Sequence, residues 1–159
     1  MNLLFTRSNK LGSRLICAVS GETVSHVAVL FYGEIVAHMS FTGFKLEMLD
    51  DFLKSHTVVL RAVVSGKTDV DAAKGVAKFR AAGHGRYDYP AILAFGLLLL
   101  WRRSTRDSRP ITRNPWQSKR LYMCTEFAAE LMGIEDGGVL TPHTLYEKVL
   151  QCTSATPST

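Results

Sequence analysis

Two runs of β-branched and apolar residues, Val24 to Phe31 and Ile35 to Met39, flank the short stretch Tyr32-Gly33-Glu34, and this limits the possible folds more than any other feature. Such runs favour extended backbone, and a glycine between them tolerates the positive φ that a tight reversal needs. An antiparallel hairpin is expected. Phe44-Lys45-Leu46-Glu47-Met48 alternates apolar and polar residues and is expected as a third strand, closing on a helical turn at Leu49-Asp50-Asp51-Phe52-Leu53. Thr57 to Val64 is a further β-branched run. The period then changes: with Thr68 or Asp69 as cap, Val70, Ala73, Val76 and Ala77 follow helical spacing until Gly83-His84-Gly85. Strands first and helices later predict an α+β fold, an antiparallel sheet packed against helices.

A chain of 159 residues, 47% hydrophobic and 21% charged, fits one domain. That domain is expected over residues 1–152, with a disordered tail at 153–159. Pro90 to Trp101 is the most apolar stretch, well short of the roughly 20 residues a bilayer span needs. A core helix is the simpler reading. The alternative is that Leu97 to Trp101 line an apolar substrate groove or touch a membrane, with the following arginines at lipid headgroups. The opening residues lack the pattern of a secretory signal, so a cytoplasmic site of synthesis is expected, with association with a virion as another context. Cys17, Cys124 and Cys152 have neither paired nor metal-like spacing. No cofactor is expected, and a metal held by His26, His38 and Cys124, though chemically possible, lacks a close ligand pair.

The net charge of +5 is concentrated between residues 102 and 120, where seven basic residues face only Asp107. Trp101, Arg102, Arg103 and Arg106 head this segment as a candidate surface for an anionic polymer or a membrane. The plainer reading is a solvated loop broken by Pro110 and Pro115. No nucleic-acid motif accompanies it, so nucleic acid is not an expected partner.

Cys124 stands before Thr125 to Met132, a helical run stopped by Gly133, so its sulfur is expected at the positive end of a helix dipole, where thiolate is favoured. A thiolate attacks a carbonyl carbon, and an imidazole beside it can hold and return the proton. His26, on the first hairpin strand, suits that role. His38 on the second strand can orient it. If the turn is centred on Tyr32, the two histidines are directly opposite; if on Gly33, His26 faces Ser40 and His38 is its diagonal neighbour on the same face. Either way an odd-length loop is expected. Glu34 is the alternative orienting residue. His56, His84 and His143, like Cys17 and Cys152, read as ordinary background.

The order Ser25-His26-Val27, then a hairpin strand carrying His38, then Gly85-Arg86-Tyr87-Asp88, then Cys124-Thr125-Glu126-Phe127 resembles the circularly permuted papain-like hydrolases of the NlpC and YiiX type, in which the cysteine helix follows the histidine strands. The resemblance covers most of the chain. It implies a papain-like antiparallel sheet, Cys124 as nucleophile, His26 as base and His38 as the polar third residue. It also implies that Tyr87 lies beside the nucleophile, orienting substrate or donating to the oxyanion. About thirty-five residues separate Tyr87 from Cys124, more than in the standard cell-wall enzymes. The expected activity is a thiol hydrolase cleaving an amide or peptide bond, such as one in a peptidoglycan stem peptide, through an acyl-enzyme at Cys124. The alternatives are hydrolysis or transfer of acyl groups from lipid or thioester substrates, and a non-catalytic phage or host interaction module. The opening Leu4-Phe5-Thr6-Arg7 through Ser25-His26 also resembles small permuted members encoded in bacterial and phage genomes.

Overall fold

Leu3, Leu4 and Phe5 are consecutive and all buried, because strand β1 (Asn2–Arg7) has protein on both faces. The structure, a computed structural model, describes residues 1–106, 109, 111–116, 121–134 and 137–154. After β1 come helix α1 (Leu11–Ser20), strands β2 (His26–Phe31), β3 (Ile35–Ser40) and β4 (Gly43–Met48), helix α2 (Leu49–Leu53) and strand β5 (Thr57–Val63). Helix α3 (Asp69–Ala81), strand β6 (Arg86–Tyr87), helix α4 (Tyr89–Thr105), strand β7 (Leu121–Tyr122), helix α5 (Cys124–Met132), a 3-10 turn (Gly137–Val139) and helix α6 (Pro142–Ser154) complete the order. The architecture is α+β. Five strands form an antiparallel sheet in the order β4-β3-β2-β1-β5, and β6 pairs with β7 in parallel.

The hairpin has the expected odd-length loop. Phe31 pairs with Ile35 and Ala28 with His38, which leaves Tyr32, Gly33 and Glu34 as the loop, centred on Gly33. Tyr32 and Gly33 both have positive φ (54° and 76°). Tyr32 is held there by Asp69, whose carboxylate accepts its backbone N–H at 2.9 Å.

Side-chain alternation then sorts the sheet into two faces. Leu3, Phe5, Val27, Val29, Phe31, Ala37 and Met39 enter the main core beneath α3, α5 and α6. Leu4, Ala28, Leu30 and Val36 point the other way and pack with Phe52 of α2. His26 and His38 share the parity of this second face. Helix α3 starts at a reciprocal cap in which Thr68 and Asp71 each satisfy the other's backbone N–H. Helix α5 ends at Gly133, whose φ of 73° is the left-handed cap a glycine supplies without strain.

One correction concerns the second half. Helix α4 runs on to Thr105, so Arg102 and Arg103 form its last turn and Arg106 its left-handed cap rather than the start of a loop. Arginines there complement the negative helix end, and no proline intervenes before Pro110. Asp107, Ser108, Pro110 and residues 117–120 of the basic segment lie outside the described residues, as do 155–159 of the tail. Among the described residues no helix is long and apolar enough to cross a membrane.

Candidate active site

Helix α5 packs across β2 and β3 with its first residue, Cys124, at the end of the hairpin where the strands open. The backbone N–H groups of Val27, Thr125 and Cys124 point at the sulfur. Val27 is the residue after His26, so the sulfur sits against the backbone that carries the imidazole. The Tyr87 hydroxyl hydrogen-bonds the same sulfur. Tyr87 is buried and belongs to β6, which reaches the site because the Gly85 carbonyl accepts the Phe44 N–H at 3.0 Å. A side chain at Gly43 would run into that carbonyl, and its φ of 108° also favours glycine.

On the second face His26 Nε2 is 3.0 Å from His38 Nδ1, with the rings edge to face. His38 Nε2 is in turn 2.8 Å from Glu47 Oε1. The protons in this ladder follow from chemistry. An ionised Glu47 only accepts, so His38 carries its proton on Nε2. A neutral His38 then accepts at Nδ1, so His26 carries its proton on Nε2. Nδ1 of a neutral His26 is left with its lone pair, and among the described residues nothing donates to it. That is the atom a general base needs.

Burial keeps all three rings of this face neutral. It takes His26 well below the usual imidazole range, with the charges of His38 and His56 adding to the shift. It takes His38 down to about 4 despite the opposing pull of Glu47. His56, stacked on Phe52 at 4.2 Å and 5.5 Å from His26, is lowered by burial as well. Burial also pushes the Cys124 thiol up to about 11, against the three N–H groups aimed at it, and the charge of Glu126 adds to the rise. Glu126 accepts the Met123 N–H at 2.6 Å and so offsets the positive end of α5. The expectation of a resting thiolate is thereby corrected: desolvation outweighs the helix terminus.

The histidine pair, the cysteine at the start of its helix and Tyr87 beside it stand where the sequence led us to look. No hydrogen bond joins Cys124 to either histidine among the described residues, and Cys124 approaches from the main-core face whereas the rings lie on the other. Glu34 is excluded as the orienting residue because it occupies the hairpin loop, at the far end of β2 from His26. Glu47 takes that role and was missed, as was the proximity of His56. A signal for Glu47 existed: it shares the parity of Lys45, the cross-strand partner of His38, so it is a same-face diagonal neighbour.

Two cavities meet at this site. A groove of about 470 Å³ between α1, α4 and the end of α5 is lined by Leu15, Val19, Ile92, Leu97 and Leu100 and reaches Cys124. A polar recess of about 150 Å³ holds His26, His38, Glu47, Lys10 and Lys45. Ile16, Ser25 and Tyr87 line both and form the divide. Helix α1, absent from the sequence reading, is fixed there by Ser13, which accepts the Ser8 N–H at 2.9 Å and shares a 2.6 Å hydrogen bond with Ser25. Among the described residues no cluster of side chains suits a metal ion.

No family model matches the chain, and no curated protein matches it.

Proposed function

We propose that the chain is a thiol acyl hydrolase of the permuted papain-like type, with Cys124 as nucleophile, His26 as base and His38 and Glu47 orienting it. The observation that carries the reading is an apolar groove that opens on the Cys124 sulfur and is parted from the histidine recess only by Ile16, Ser25 and Tyr87. An apolar acyl chain fits the groove with its carbonyl at Cys124, and the leaving group is directed over the divide at Ser25 and Tyr87 towards the histidine recess. Pockets of a few hundred Å³ with few polar groups are typical of small-molecule sites.

The Cys124 sulfur attacks the carbonyl carbon while its proton passes to Nδ1 of His26. That transfer requires the two groups, on opposite faces of the sheet and unbonded at rest, to close on each other round the open end of β2 as substrate binds. The Nε2–H of His26 stays hydrogen-bonded to His38, which Glu47 holds in the required tautomer. The developing oxyanion accepts from the Tyr87 hydroxyl and the Cys124 backbone N–H. His26 returns the proton to the departing oxygen, nitrogen or sulfur, leaving an acyl-enzyme that water or an acceptor alcohol or amine resolves. A neutral thiol at rest suits this sequence, because proton transfer accompanies attack. Hydrogen bonds of such sites commonly tighten only when substrate is bound.

The test is a series of p-nitrophenyl esters of rising chain length, with peptide-mapped mass spectrometry of Cys124. Each methylene buried in the groove contributes about 0.8 kcal/mol, close to fourfold in kcat/KM. Turnover that falls with chain length, or an acyl adduct that survives Cys124→Ala, sinks the proposal. Lys10 and Lys45 in the recess favour a second reading, an amide whose leaving side carries a carboxylate, such as a peptidoglycan stem peptide. Digestion of purified sacculi with release of stem peptides, without turnover of long-chain esters, would select it.

A further inference from the structure

Helices α1 and α4 form the two lips of the apolar groove, and both leave large apolar side chains in solvent. Leu11 is 81% exposed, Leu15 62%, Leu93 59%, Trp101 53% and Leu97 52%. Leu93, Leu97 and Trp101 follow one another at intervals of four, which puts them in one stripe along α4. Leu11 lies one turn from Leu15 on α1. Leu15, Leu93 and Leu97 also line the groove, so both stripes border its mouth. A soluble monomer rarely leaves so much apolar surface in one patch without using it.

The charge on the two helices has one sign, while the carboxylate of Glu22 beyond α1 is turned to the Thr141 hydroxyl and the His143 N–H. Neither helix contains an aspartate or glutamate apart from the buried cap Asp88 that precedes α4, whereas Lys10, Arg14, Arg103 and Arg106 are exposed at their ends. We infer that these two lips are a docking surface for an anionic lipid bilayer, with the leucines and Trp101 entering the acyl boundary and the cations meeting lipid phosphates. Apolar knobs flanked by basic residues are the composition by which helices lie in a membrane interface. A second copy of the chain is the poorer occupant, because it would bring the same basic borders and offer no acidic group on either helix to pair with Lys10, Arg14, Arg103 or Arg106. Docking in this orientation sets the groove mouth against the layer that holds acyl chains. The inference goes beyond the proposed chemistry and does not depend on turnover.

Cosedimentation of the 159-residue chain carrying Cys124→Ala with vesicles separates the two questions. Vesicles of phosphatidylcholine with about one-third phosphatidylglycerol, at roughly 0.15 M salt, are compared with pure phosphatidylcholine. Binding at least about tenfold tighter to the anionic vesicles is expected. Leu11→Glu with Trp101→Glu, neither of which lines the groove, should weaken it about tenfold or more. Arg103→Ala with Arg106→Ala should weaken it about thirtyfold. Thermal melts establish that each variant is folded. Absence of binding to either vesicle overturns the inference, as does binding that the apolar pair leaves unchanged. A lipid-free dimer that Leu11→Glu dissolves, without vesicle binding, also overturns it and assigns the lips to self-association. Vesicle binding by a protein whose Cys124 forms no acyl adduct would retain the surface and reject the hydrolase.

Discussion

The neutral resting state of Cys124 leads to a measurable consequence. With the thiol near 11 instead of its ordinary 9.0, about one sulfur in ten thousand is ionised at pH 7, against about one in a hundred for an unperturbed thiol. A more basic thiolate is also the better nucleophile, with a Brønsted slope of about 0.4–0.5, which returns roughly tenfold over two pH units. Alkylation of Cys124 by iodoacetamide should therefore run about tenfold below an ordinary thiol at neutral pH, before any steric shielding. Its logarithm should rise with unit slope past about pH 10. Peptide-mapped mass spectrometry across that range reads Cys124 separately from Cys17 and Cys152. A fast, pH-independent rate below neutrality that His26→Ala abolishes would refute the argument, since it would mean a resting thiolate–imidazolium pair. Stability carries the same signature: because the folded thiol holds its proton to higher pH than the unfolded one, stability falls as pH rises from 9.0 towards 11. The loss amounts to about 2.7 kcal/mol at 1.36 kcal/mol per unit, and Cys124→Ala should lack this share of it.

On the acid side the sign reverses in origin but again opposes folding. His38 titrates near 6.5 unfolded and about 4 folded, so roughly 3 kcal/mol of stability is lost as pH falls through that window; a urea midpoint unchanged between pH 7 and 4.5 would contradict it. Glu47→Gln lets an amide N–H donate to His38 Nε2 and so permits the reverse proton order along the ladder. Acylation should drop a hundredfold or more, and nitrogen NMR of the His26 ring should show its proton moving from Nε2 to Nδ1. Phe127 is fully buried with ring centroids 4.8 Å from Phe79 and 5.6 Å from Phe44. Phe127→Ala should cost about 3–5 kcal/mol and lower the melting temperature by about 6–20 °C.

Much of the local structure was legible because its causes are local. Thr68 and Asp71 are three residues apart and start α3 by capping each other. Gly133 stops α5 because it accepts a left-handed φ. The odd hairpin loop followed from the demand that two strands, each carrying one histidine, present them on one face. Strand β1 was not legible: burial on both sides erases the alternation by which a half-buried strand is recognised. Helix α1 was missed although Leu11, Leu15 and Val19 recur at helical spacing, because no capping side chain marks its start at Lys10.

The sequence by itself determined the α+β order of elements, the shared face of His26 and His38, and the location of Cys124 at the first turn of a helix. These rest on dihedral preferences and side-chain periods that act over a few residues. Only the tertiary structure decided that Glu47 completes the histidine ladder, that His56 joins it, and that an apolar groove between α1 and α4 opens on the sulfur. It also decided the protonation of the site, because desolvation depends on everything that covers a group and not on its neighbours in the chain. Burial holds Cys124 and the three histidines neutral, reversing what the helix terminus alone would favour at the thiol.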